Sequence, residues 1–233
     1  MSNQSKIIVA MDFPSIEPAR ELVAKLDPKL CRLKIGSILF TQYGPALVEE
    51  WQKLGFSTFL DLKFHDIPAT VAAACRAAAE LGVWMVNLHV SAGQAALIAA
   101  REELAIFPAS KRPLLIGVTV LTSLNANDLR VVGVNDDVAS MVLRLATLAQ
   151  TAELDGVVCS PQEIALLRTK LKKPFVLVTP GIRLTAESND DQKRIATPKT
   201  AISAGADYLV IGRPITQAKD PLQTLQSIVA DIQ

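Results

Sequence analysis

Four charged residues stand where apolar runs would otherwise continue. Asp12 closes KIIVAMD (6–12), Lys34 interrupts CRLKIG (31–36), and Asp61 and Lys63 lie in STFLDLKF (57–64). Taking charge out of water costs several kcal/mol per ion unless partners of opposite sign compensate, and an apolar replacement is often no worse for stability. Chemistry explains such a cluster better than packing does. Carboxylates flanking Lys63 would keep it in the ammonium form, since nearby opposite charge favours the ionised state. The expected site therefore holds a fixed cation that is also a proton donor. The charged run continues through DLKFHDIPAT (61–70), where Asp66 appears as the chain leaves the strand for a helix.

The elements that position these residues follow from periodicity. Eight short apolar runs read as buried strands: 6–12, 31–36, 57–64, 85–90, 113–121, 156–160, 175–182 and 208–213. Stretches of helical period separate them, among them SIEPARELVAKL, QYGPALVEEWQKL, ATVAAACRAAAEL, DVASMVLRLATLAQ and PQEIALLRTKL, with DPLQTLQSIVADI after the last strand. Ser15, Thr41, Asp137 and Ser160 read as N-caps, and Pro161 and Pro221 as first-turn residues. Eight units of roughly 29 residues with no low-complexity linker predict a single-domain (β/α)8 barrel over residues 1–233. An open doubly wound sheet would carry a Gly-rich turn after its first strand, and MDFPSIEP has none.

Alternation along strands then sets direction. Phe59, Asp61 and Lys63 share one face, and Leu60, Leu62 and Phe64 share the other. With the latter set against helices, Asp61 and Lys63 point into the barrel at its C-terminal mouth, as do Lys34 and Asp12, where barrel active sites are built. On the far side of the mouth, VTPGIR (178–183) and VIGRPI (210–215) end strands seven and eight. That position frequently holds phosphate, with Gly181 and Gly212 allowing close backbone approach and Arg183 and Arg213 supplying guanidinium forks. Two long connections follow strands: 122–136, with a short helix expected around Asn127 to Val131, and 183–198, polar throughout and expected to be a lid.

Composition excludes several classes. The formal net charge is +1 with acids and bases mixed along the chain, so no nucleic-acid partner is expected. The apolar runs are too short for membrane spans, and MSNQSK lacks the basic and apolar regions of a secretory signal. Cys31, Cys75 and Cys159 have no zinc-like spacing and read as small buried hydrophobes of a cytoplasmic protein. His65 and His89 lack companion ligands at metal spacing, so no metal site is expected and both read as hydrogen-bonded structural histidines.

These residues carry a resemblance. DLKFHDIPAT is similar to the DxKxxDIPxT signature of the orotidine 5'-phosphate decarboxylase family in its short microbial form. Similarity extends to Asp12, Lys34 in RLKIG, LTS at 121–123, VTPGIR, Gln192 and GRPIT at 212–216. The resemblance implies a (β/α)8 homodimer that converts orotidine 5'-monophosphate to UMP and CO2 without metal or organic cofactor. It implies that Lys63 protonates C6 of the pyrimidine and that Asp61 sits beside the departing carboxylate. Asp66, with Thr70, would be lent across the dimer interface, completing an alternating array with Lys34, Asp61 and Lys63. Asp12, Lys34 and Thr70 would bind the ribose hydroxyls and Thr122 the pyrimidine. Ile67 and Pro180 would join the substrate-binding set. Gln192, Gly212 and Arg213 would take the phosphate, with Arg183 at the base of the lid. The nearest alternative is a sugar-phosphate decarboxylase or aldolase of the same superfamily that uses Mg2+; those relatives carry a carboxylate on strand two, where this chain has Lys34.

Overall fold

The computed structural model describes residues 5–184 and 195–232. Eight strands run β1 (Ile7–Ala10), β2 (Arg32–Gly36), β3 (Thr58–Phe64), β4 (Met85–His89), β5 (Leu114–Val118), β6 (Gly156–Val158), β7 (Val176–Thr179) and β8 (Tyr208–Ile211). All pair in parallel in sequence order, and β1 closes on β8 through Ile7 with Leu209, Ile8 with Val210 and Val9 with Ile211. The helices are α1 (Ile16–Val23), α2 (Ser37–Tyr43), α3 (Pro45–Lys53), α4 (Pro68–Glu80), α5 (Gln94–Ala105), α6 (Ala126–Val131), α7 (Val138–Thr151), α8 (Ile164–Lys170), α9 (Pro198–Ala204), α10 (Arg213–Thr216) and α11 (Pro221–Asp231). The architecture is the (β/α)8 barrel that the alternating periods predict.

The core has two parts, sorted by strand parity. Ile8, Ala10, Phe59, Met85, Ile116, Val178 and Val210 fill the barrel interior. Ile7, Val9, Leu33, Ile35 and Leu60 face outward into the layer between sheet and helices, with Leu62 and Phe64 packed against it. Residues at even spacing meet across the axis because successive side chains alternate faces. That same parity carries Lys34, Asp61 and Lys63 inward above the apolar plug.

Local signals act where expected at several ends. Asp137 accepts from the Ser140 N–H at 2.9 Å and caps α7. Asn125 and Asp128 form a capping box on α6, the short helix expected in the 122–136 connection. The Glu163 carboxylate accepts from the Ser160 N–H at 2.7 Å. One start is corrected: Thr41 lies inside α2 and caps nothing. Gly44, at φ 61°, breaks the QYGPALVEEWQKL stretch, and Pro45 opens α3 in its first turn. A positive φ is open to Gly at no steric penalty, and Pro has no N–H to lose at a helix start.

Candidate active site

The C-terminal mouth encloses a cavity of roughly 540 Å3. Of the residues expected in the site, Asp12, Lys34, Asp61, Lys63, Thr122, Pro180, Arg183, Gly212 and Arg213 line it. Asp66, Ile67 and Thr70 do not; they are exposed at the start of α4, and Asp66 Oδ1 accepts from the Ile67 N–H at 2.6 Å. Gln192 lies outside the described residues. So does most of the 183–198 segment, whose ends are tied by a bridge between Ile182 and Ala196 and by the Arg183 N–H donating to the Ala196 carbonyl at 2.9 Å.

The charges alternate in sign along a line of contacts. Lys34 Nζ stands 2.9 Å from Asp12 Oδ1 and 3.1 Å from Asp61 Oδ2. Lys63 Nζ stands 2.7 Å from Asp61 Oδ1. The middle of this array is sealed and its ends are open: the side chains of Lys34 and Asp61 are 8% and 10% exposed, those of Asp12 and Lys63 55% and 37%. The inner pair sets the field, while Lys63 keeps an ammonium face toward the cavity. Gly36 makes the array possible, because a Cβ there would come within 3.0 Å of Asp12 Oδ1 and 3.4 Å of Lys34 Nζ.

Protonation follows from these contacts. Burial disfavours the Asp61 anion, but the ammonium groups of Lys34 and Lys63 and hydrogen bonds from Lys63 and Asn87 outweigh it and hold its carboxyl at about 2. Burial likewise disfavours the Lys34 cation, yet Asp61 and Asp12 raise its pKa above the usual lysine value. Asp61 is a fixed anion and Lys34 a fixed cation through the physiological range.

Asn87 of β4 is a cavity residue that the sequence reading missed. It lines the cavity, is fully buried, and donates from Nδ2 to Asp61 Oδ1 at 2.7 Å. The signal was present in MVNLHV, where a polar residue falls at an inward position two after Met85. Ser37, Thr216 and Gln217 also line the cavity.

The histidines require a second correction. Rather than each taking a hydrogen bond, His65 and His89 face each other as tilted rings 5.3 Å apart, with no hydrogen bond to either side chain among the described residues. Burial, then His65 and Lys63, lower the His89 pKa. The three cysteines are buried as expected, and desolvation pushes each thiol up to about 12.

The Orotidine 5'-phosphate decarboxylase / HUMPS family profile matches residues 5–228. The orotidine 5'-phosphate decarboxylase of Coxiella burnetii is 57% identical over 227 residues, covering 97% of this chain and 96% of that one. The Saccharophagus degradans protein of the same name is 55% identical over 227 residues, covering 97% and 94%. Among solved structures, orotidine 5'-phosphate decarboxylase from Lactobacillus acidophilus superposes with a TM-score of 0.88 at 34% identity, covering 98% of this chain and 99% of that one.

Proposed function

The chain belongs to the Orotidine 5'-phosphate decarboxylase / HUMPS family, and from that premise we infer that it is a carboxy-lyase of pyrimidine synthesis. It decarboxylates orotidine 5'-monophosphate to UMP and CO2, the last step of de novo UMP formation. The observation that carries this reading is the alternating array, in which the Lys34 ammonium stands 2.9 Å from Asp12 and 3.1 Å from Asp61. A Mg2+-dependent sugar-phosphate enzyme would need those carboxylates for its metal, and a cation already lies between them.

Loss of CO2 from C6 leaves a carbanion with no adjacent carbonyl to delocalise it. Developing charge of that kind is stabilised by a preorganised cation in a site of low water content. Lys63, ion-paired at one side and open to the cavity at the other, fits that task and then delivers its proton to C6. Asp61 lies beside the departing carboxylate. Asp12 and Lys34 bind ribose hydroxyls, Thr122 and Pro180 contact the pyrimidine end, and Gly212 and Arg213 hold the phosphate with Gln192, Arg183 lying at the lid's base. The whole chain, 1–233, works as one barrel unit with the 183–198 segment as its lid, as a cytoplasmic homodimer free of nucleic-acid and membrane partners. Among the described residues no helix is long and apolar enough to cross a membrane.

Exposure of Asp66, Ile67 and Thr70 outside their own cavity supports a shared site, with these residues completing the partner's array. The primary experiment follows the absorbance of orotidine 5'-monophosphate with purified protein before and after dialysis against EDTA. Steady loss in both is expected; a rate that vanishes with EDTA and returns with Mg2+ overturns the assignment. Sharing is tested by mixing inactive Lys63→Ala and Asp66→Ala proteins with verified subunit exchange. Each mixed two-fold dimer then has one intact site, and recovery approaches roughly a quarter of wild-type activity. Activity at the parental level places Asp66 in its own chain's site.

A further inference from the structure

Strand β3, which carries Asp61 and Lys63, does not pair regularly with β4. Phe59 stands opposite Met85 and Leu60 opposite Val86, but the next pair is Phe64 with Leu88. β3 therefore advances four residues while β4 advances two, and the excess lies in the segment holding Asp61 and Lys63. A bulge of this kind strips backbone groups of their ladder partners and re-aims side chains. Lys63 adopts φ 51° within it. Among the described residues only Glu153 shares a positive φ without being Gly. Glu153 sits just past the end of α7, where left-handed residues commonly terminate helices. Lys63 has no such excuse in its local sequence, and a left-handed Lys persists only where its surroundings over-determine it.

Asn87 supplies that constraint. Its Oδ1 accepts from the Lys63 backbone N–H at 2.8 Å, replacing the ladder bond that the bulge removes. Its Nδ2 donates to Asp61 Oδ1 at 2.7 Å, the oxygen that also receives Lys63 Nζ. The amide orientation is dictated by chemistry, since a backbone N–H must meet the carbonyl end and a carboxylate the amino end. One fully buried side chain thus fixes the main chain of Lys63 and the carboxylate against which its ammonium rests.

We propose that Asn87 is a positioning residue for the decarboxylation: it holds the β3 bulge and the left-handed Lys63 so that the ammonium stays aimed from Asp61 into the cavity. The inference rests on the function proposed above. Because Asn87 acts through Lys63 and Asp61, its loss affects turnover more than substrate capture by the distant phosphate arm. Small misplacements of a reacting group can cost about 100-fold in rate.

The test compares wild type with Asn87→Ala. The expected result is a fall in kcat of about 10- to 100-fold, with KM and the dissociation constant for UMP changed less than about threefold. Matching losses in kcat and UMP affinity would show damage to the cavity as a whole and overturn the inference, as would kcat within twofold of wild type. If Asn87→Ala does not fold, Asn87→Asp keeps the volume and the acceptor for the Lys63 N–H while setting a second carboxyl against Asp61. It is expected to lose at least tenfold in kcat at neutral pH, and wild-type turnover overturns the proposal. An inactive wild type would instead refute the function, and the crystal structure of the variant then decides alone. Lys63 retaining a φ near 51° with Nζ still on Asp61 rejects the role of Asn87, and a relaxed bulge supports it.

Discussion

Strand β2 places two cations two residues apart on one inward face, and the barrel treats them in opposite ways. At the floor, the Arg32 guanidinium carbon lies 4.1 Å from the Trp84 ring centroid and 5.3 Å from that of Tyr208, and the two rings meet edge-on at 4.9 Å. At the mouth, Lys34 meets the carboxylates of Asp12 and Asp61. Burial lowers the Arg32 pKa, whereas the carboxylates reverse that effect at Lys34. Ring faces give the floor cation a partner that also fills volume, so the barrel closes there. Carboxylates give the mouth cation a stronger partner that leaves a polar cavity open. On the proposed function, the difference separates charge kept for packing from charge kept for chemistry.

The largest effect that sharpens this division is at Lys63. On the proposed function, Lys63→Ala removes both the cation facing the developing carbanion and the proton donor, each worth about two to four powers of ten in rate. We expect kcat to fall at least about 10⁴-fold. Because the Lys63 side chain is 37% exposed, its ion pair is worth little in stability, about 1 kcal/mol or less. Calorimetry and single-turnover assays on the same preparation check both halves. A variant that loses as much stability as activity would blur the two ends of the barrel.

A smaller effect comes from Asp61. Its folded carboxyl is held at about 2, below the ordinary value of 3.8. A depressed acid contributes stability above its unfolded pKa and loses it as the pH falls through the folded one. We therefore expect on the order of 2 kcal/mol to disappear between about pH 4 and pH 2, seen as a falling urea midpoint. Asp61→Asn should flatten that slope. An unchanged slope would mean that the Lys34 and Lys63 partners do not favour the anion.

Much of this was legible in the chain. The strands were visible because parallel strands buried on both faces read as unbroken apolar runs, and strand parity alone sent Asp12, Lys34, Asp61 and Lys63 to one mouth. The bulge in β3 was not visible, because register depends on the partner strand, and nothing in STFLDLKF distinguishes a regular strand from one that is two residues ahead of β4. Asn87 shows in MVNLHV as an inward polar residue, but its partner does not, because the Lys63 N–H that it meets is set by the bulge. The split of α2 from α3 could have been read from Gly44 and Pro45, whose adjacency outweighs the helical period around them. Asp66, Ile67 and Thr70 are legible only as a motif, since within one chain they are exposed and do not line the cavity.

The smallest effect tests the floor, with Arg32→Met. Methionine keeps an unbranched stem between the Trp84 and Tyr208 rings and makes favourable sulfur contacts with them, so the volume stays filled. What it loses is the cation over the ring faces, worth about 2 kcal/mol when desolvated, together with the hydrogen bond that the Arg32 guanidinium donates to the Ser5 carbonyl. What it gains is relief from burying a charge, the penalty already visible as the lowered Arg32 pKa. These oppose each other, and we expect a net loss near 1 kcal/mol, measured by chemical denaturation, with kcat within twofold of wild type. Arg32→Ala should be worse, because truncation also removes the stem that packs the floor. The informative failure would be a stable Arg32→Met protein with kcat reduced tenfold or more. Lys34 lies two residues along the same strand, so such a result would mean that the floor sets the height of β2 and with it the Lys34 ammonium between Asp12 and Asp61, and the two ends of the barrel would be one device.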